Sequence, residues 1–125
     1  MRNNLFRGKR LDNGEWVFGD LVHSLYKKGD TCVGQYGNDI GMHQVDPETV
    51  GQYAERDDIH GKKIFDGDII WLGFKVMSDD GEERVVRHER YIFDIRKHSD
   101  ILDICAVEVV GNIHDAYEQE RTKSS

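Results

Sequence analysis

The sequence predicts a mainly β fold, with an N-terminal β-hairpin lobe over about residues 1–44, a small barrel over about 45–113 and a short tail at 114–125. Three observations carry that prediction. Tight-turn signals recur at Asp12-Asn13-Gly14, Asp58-Ile59-His60-Gly61, Asp66-Gly67-Asp68 and Asp79-Asp80-Gly81, where Asn, Asp and Gly accept the positive φ that such turns demand. The runs between the turns are short and rich in β-branched and aromatic residues. The longest, 69–77, is apolar at nearly every position and carries Gly73 in its middle, which lets a strand curl.

Taken in order, the Asp12-Asn13-Gly14 turn joins a strand near residues 5–10 to one over 15–26. In that second strand Trp16 and Phe18 point to one face, and Val17, Leu21 and Leu25 to the other. Gly19 marks a bulge or sharp bend within it. Thr31-Cys32-Val33 is a third run, closed by Gly34 and Gly37, and Gly41-Met42-His43-Gln44-Val45 leads up to Asp46-Pro47. The proline pushes Asp46 into extended geometry and ends the strand before it. Asp58 offers an acceptor at the first position of a type I turn, and Gly61 supplies the left-handed residue that follows. Ile64-Phe65 is then a short strand, Gly67 a second turn, and 69–77 the central strand of the core. Asp79-Asp80-Gly81-Glu82 is an exposed hairpin tip, and the return strand over 84–95 places Val85, Tyr91, Phe93 and Ile95 on one face. After a break at Ser99-Asp100, residues 104–111 form the last strand. Residues 112–120 have the pattern of a short helical turn, and 121–125 that of a frayed tail.

Composition excludes more than it assigns. A chain of 125 residues fits one domain, and 38% apolar against 33% charged residues predicts a small core under a densely solvated surface. The net charge of -7 opposes general attraction to nucleic acid, whose binding draws on lysines and arginines. Cys32 and Cys105 lie far apart in apolar surroundings, as reduced, buried thiols do. The opening Met1-Arg2-Asn3-Asn4-Leu5-Phe6 lacks the apolar run of a secretory signal, and no stretch approaches the ~20 apolar residues of a membrane span. A soluble cytoplasmic protein, without membrane contact, is expected.

One ordered set of residues is more specific. It runs through Phe6-Arg7, Trp16, Gly19-Asp20, Pro47-Glu48-Thr49-Val50-Gly51-Gln52-Tyr53, Asp58, Gly61-Lys62-Lys63-Ile64-Phe65, Gly67-Asp68-Ile69-Ile70 and Glu108-Val109-Val110-Gly111-Asn112-Ile113. In this set the chain resembles the YopX family, small proteins encoded by phages and prophages, mainly of low-GC Gram-positive bacteria. The resemblance implies an SH3-like barrel and a propensity to self-associate, and it implies no established activity. It singles out Pro47, Thr49, Gly51, Tyr53, Gly61, Gly67, Asp68, Gly111 and Asn112 as a structural motif. The chain departs from the family at Glu55-Arg56, where Gly-Leu is usual, and at His60, where Asn is common. Residues 73–106 match poorly, as a surface hairpin of variable length would.

Reactive constellations are sparse. The histidines at 23, 43, 60, 88, 98 and 114 include no pair at zinc-ligand spacing, and no cofactor is implied. Acidic groups at Asp57-Asp58, Asp66 with Asp68, and Asp79-Asp80-Glu82-Glu83 could hold a hard cation or flank a scissile bond, yet each sits beside glycine, where turn formation accounts for it. A hydrolase using Asp66 and Asp68 is therefore the weakest reading. A nucleic-acid-binding accessory protein is the next. It would use a basic stripe over 84–98, with Arg84, Arg87, His88, Arg90, Arg96, Lys97 and His98 interleaved with Tyr91 and Phe93. The favoured reading is a non-enzymatic module of phage origin that contacts itself or a phage or host protein. Trp16, Tyr26, Tyr36, Tyr53 and Trp71 supply more aromatic surface than a small core needs, and Trp16, Tyr53 and Trp71 are the protein-contact candidates.

Overall fold

The first hairpin closes where the sequence places it. Gly14 takes a φ of 73°, its amide donates to Arg10 O at 2.9 Å, and the Asn13 side chain accepts from the Glu15 amide at 2.9 Å. This turn joins β1 (Phe6–Lys9) to β2 (Trp16–His23), with Phe6 opposite Gly19 and Lys9 opposite Trp16. The computed structural model describes residues 5–24, 27–35 and 41–115. Leu25, Tyr26, Tyr36, Gly37 and residues 116–125, to which the sequence assigned strand, turn, helix and tail roles, lie outside those residues.

Contacts divide the chain into two units, Met1–Tyr53 and Ala54–Ser125, with the motif around Pro47 in the first. In the first unit, β3 (Thr31–Gly34) pairs with β2, and β4 (Met42–Gln44) pairs with β3, all antiparallel. Two glycines let these backbones meet. A Cβ on Gly19 would lie 2.3 Å from the Gly34 carbonyl oxygen, and one on Gly34 would lie 1.8 Å from that of Gly41. Gly19 is thus a point of close approach between strands. Cys32, Val33, Met42 and Val45 are buried. Asp46 is extended (φ -70°, ψ 118°) and caps a 3-10 turn over Pro47–Thr49, its side chain accepting from the Glu48 amide. Thr49 then ties that turn to β1: its Oγ1 accepts from the Lys9 amide at 2.8 Å and donates to Asp46 O at 2.6 Å. The chain enters β5 (Gly51–Asp57), whose first residues pair with β1 through Arg7 opposite Gly51 and Phe6 opposite Gln52.

The second unit contains the remainder of β5, β6 (Lys63–Phe65), β7 (Asp68–Met77), β8 (Glu83–Ile92) and β9 (Ala106–Asn112). Strand β7 lies at the centre of an antiparallel sheet ordered β8-β7-β9. Its register shifts against β8 between Leu72 and Gly73, and against β9 between Ile69 and Ile70. Ile64, Ile70, Leu72, Phe93, Val107 and Val109 make the core, with Ala54, Tyr91, Ile95, Ile101, Leu102 and Cys105 packed on it.

The fold is mainly β, as the sequence predicts, and three details differ. Strand β7 is buried only as far as Gly73, and Phe74, Lys75, Val76 and Met77 are exposed, because the outer half of this hairpin extends beyond the core cluster. The return strand stops at Ile92. Asp94 caps a helical turn α1 (Ile95–His98) by accepting from the Arg96 amide at 2.9 Å, while Asp66 Oδ1 takes the Ile95 amide at 3.0 Å. Phe93 thereby leaves the strand and enters the core, 1% exposed. A second helical turn, α2 (Ile101–Ile104), follows the break at Ser99-Asp100, so that the last strand starts at Ala106 and not at residue 104.

Candidate interaction surface

Cross-strand register decides which side chains share a face of the β8-β7-β9 sheet, because directly opposed residues project to the same side. Ile70 and Leu72 face the core with Tyr91 on β8 and Val109 and Val107 on β9, and Glu89, opposite Leu72, lies exposed on the same side of the sheet. Trp71 faces the other way, opposite Arg90 and Glu108. The register shift at Gly73 places Arg87 on the Trp71 side as well, with its guanidinium 5.4 Å from the centre of the indole. Arg87 also ion-pairs with Glu108, which His60 Nε2 approaches at 3.6 Å. Trp71, Arg87, Glu108 and His60 thus form one mixed aromatic and charged cluster.

The outer half of the same hairpin exposes apolar side chains on both faces, beside the Lys75–Glu83 ion pair and Arg84. Phe74 (51% exposed) lies opposite Val86 (50%) on the core side, with Val76 one step further out, while Met77 (68%) and Val85 lie on the Trp71 side. Beside Phe74 opens a cleft of about 520 Å³, lined among others by Ile59, Ile64, Leu102, Cys105 and Val107. The hairpin ends in an acidic turn in which Gly81 is left-handed (φ 83°) and Ser78 bonds both Asp80 and the Glu82 carbonyl.

The register splits the expected basic stripe. Arg84 lies opposite Val76 on the core-side face, Arg87 and Arg90 lie on the Trp71 face, and Arg96, Lys97 and His98 sit on α1. Tyr91 donates its hydroxyl to Glu89 at 2.5 Å and packs its ring 5.4 Å from that of His98. The acidic bond pushes the phenol pKa up, aided by burial. Of the aromatic candidates, Trp16 is covered from its own unit by Arg7 and Lys9, at 4.7 and 5.5 Å from the ring. Tyr53 is half-buried, its amide donating to Leu5 O at 2.8 Å.

The motif residues serve turns and joints. Gly67 (φ 92°) donates its amide to Phe93 O and accepts from the Ile113 amide. Asp68, 2% exposed, accepts from the Phe65 amide at 2.7 Å and stands opposite Asn112 in the ladder. Asn112 caps the next turn by accepting from the amides of His114 and Asp115, and Gly111 lies opposite Ile69. Gly61 (φ 82°) donates to Asp58 O. Asp66 and Asp68 each hold a backbone amide, as above, and no group of three or more His, Cys, Asp or Glu among the described residues is arranged to hold a metal ion.

Asp58 carries a role that its sequence position reveals only in part. One carboxylate oxygen accepts from His60 and Lys62 within the turn, which an acceptor at the first turn position leads one to expect; the other accepts from the Val109 amide at 2.9 Å. Burial works against its charged form, but these three amides outweigh it and hold the carboxyl below its ordinary pKa. In sequence Glu108 stands out only as a member of the family set, since its partners depend on the pairing of β7 with both neighbours. Both cysteines are free, and burial, with Asp30 alongside, pushes the Cys32 thiol up.

The family described as YopX protein matches residues 5–118. The chain belongs to the YopX family. No curated protein and no solved structure matches it. The match takes in both units of this YopX chain, including the hairpin over 73–106, where the resemblance by motif is weakest. No described helix is long and apolar enough to cross a membrane.

Proposed function

We propose that this YopX protein is a non-enzymatic module, encoded by a phage or prophage and working in the cytoplasm of the bacterial host, that acts through protein contacts made by the outer half of the β7–β8 hairpin. The observation that carries this reading is the group Phe74, Val76, Met77, Val85 and Val86, exposed together on both faces of that hairpin. Apolar surface grouped in this way costs solubility unless a partner covers it. The Trp71 and Arg87 pair adds the residue types that most often anchor such contacts. The use of Asp58, Asp66 and Asp68 on backbone amides supports a non-catalytic reading. The second unit is proposed to be an SH3-like barrel, supported by β9 meeting the turn after β5: Ile59 donates its amide to Val107 O at 3.0 Å, beside the Asp58 bond to Val109.

Affinity capture from infected host lysate, with and without nuclease, tests this reading. Retained proteins that survive nuclease support it. Loss of every retained species on nuclease treatment would favour nucleic-acid binding through Arg84, Arg87 and Arg90, which would also weaken steeply with salt.

A further inference from the structure

The two edges of the β8-β7-β9 sheet differ. The outward edge of β9 is occupied, by Ile59 at Val107 O and by Asp58 at the Val109 amide. The outward edge of the ten-residue strand β8 has no strand partner among the described residues, and nearly all its side chains are exposed. An open edge of this length is a template for another strand. Lysine or proline, which commonly blunt such edges, are absent from β8; its charges are Glu83, Arg84, Arg87, Glu89 and Arg90.

We infer that β8 pairs antiparallel with β8 of a second copy, about a two-fold axis at Val85. The register follows from three constraints. A symmetric antiparallel pair must set one residue opposite itself. The longer regular part of β8 is residues 83–87, bounded by the acidic turn and by the shift at His88, where the partners of Leu72 and Gly73 are Glu89 and Arg87; the other part, 89–92, is shorter and ends where the chain leaves for α1. Charge then selects the centre. An axis at Arg84 or Arg87 sets arginine against its own copy, and an axis at Val86 sets Arg87 against Val85 and brings no opposite charges together. An axis at His88 requires the ladder to run straight through the shift. Centred on Val85, the segment is complementary: Glu83 faces Arg87 of the second copy, Arg87 faces its Glu83, and Arg84 and Val86 face each other across the join. Glu83, Val85 and Arg87 all project on the Trp71 side, so the two ion pairs flank the Val85 contact on one face. On the other face, Val86 of each copy meets the stem of Arg84 of the other, with Phe74 and Val76 alongside.

This inference rests on the reading of the protein as a contact module and names its partner. Sedimentation equilibrium of the full chain, from micromolar to near-millimolar concentration under reducing conditions, tests it. Glu83→Arg and Arg87→Glu should each weaken the dimer about tenfold, and the double exchange should restore it, since both replace facing opposite charges by like ones singly and reinstate them together. Arg87→Glu also removes the bond to Glu108 and Glu83→Arg the ion pair with Lys75, and the double variant keeps both losses, so rescue can come only across the join. As a second readout, Val85→Cys should form a disulfide-linked dimer under mild oxidation, and Val86→Cys should not. A chain that stays monomeric throughout, a double exchange no tighter than the single ones, or equal cross-linking at 85 and 86 overturns the pairing. A monomer that still retains a nuclease-resistant protein partner overturns the pairing and leaves the contact-module reading standing.

Discussion

Asp58 and Val109, 51 residues apart in the chain, are joined by a carboxylate accepting a backbone amide at 2.9 Å. The bond fixes the turn after β5 to the last strand of the second unit, and the same carboxylate closes the turn itself. Asp58→Ala leaves three amide donors without this acceptor and should cost about 2–4 kcal/mol, while Asp58→Asn, which keeps one oxygen, should cost about 1–2 kcal/mol. Urea unfolding at neutral pH measures both.

The same residue sets an acid limb. Its folded pKa lies below the ordinary value, so its contribution is fully present above the unfolded carboxylate value of about 4 and is lost as pH falls through the folded one. The stability gap between wild type and Asp58→Asn should therefore stay constant from about pH 7 to about pH 5 and narrow below about pH 4. A gap that widens on acidification would contradict this.

Two glycines with positive φ separate backbone strain from steric clash. Gly14 has open space where a Cβ would stand, whereas a Cβ on Gly34 would lie 1.8 Å from the Gly41 carbonyl oxygen. Gly14→Ala should cost about 1 kcal/mol, from the left-handed backbone alone. Gly34→Ala should cost about 3 kcal/mol or more, since β3 and β4 must separate to admit it. Thermal melts of the two variants give the contrast.

Much of this was legible because it is local. The turns at Gly14, Gly61 and Gly67 and the extended Asp46 each follow from two or three adjacent residues. The end of β8 did not, because the alternation through Phe93 and Ile95 continues a strand pattern that only the Asp94 cap and the distant Asp66 carboxylate interrupt. The Trp71, Arg87 and Glu108 cluster was hidden for a related reason: its membership depends on two register shifts that the sequence does not display.

Glu55 has a φ of 62°, at the position where the family usually carries glycine. Replacing it by glycine relieves the left-handed strain, and replacing it by valine aggravates it, while both remove the same carboxylate. Glu55→Gly should exceed Glu55→Val in stability by about 2 kcal/mol, read from urea midpoints.

The two tryptophans should behave differently. Trp16 lies beneath the largely buried Arg7 and Lys9, so Trp16→Ala should lower stability by about 2–4 kcal/mol. Trp71 is half-buried on an open sheet face, and Trp71→Ala should cost about 1 kcal/mol while reducing partner retention. Paired melts and capture assays distinguish the two roles.

The most direct measurement is nuclease-treated capture from host lysate, run side by side with wild type and a variant in which Phe74 and Val86 are both changed to Ser. Both residues are half-exposed, so the variant should fold. Proteins retained by wild type and lost by the variant are the predicted result. Equal retention by both, or retention of nucleic acid alone before nuclease, would contradict a contact module built on this hairpin.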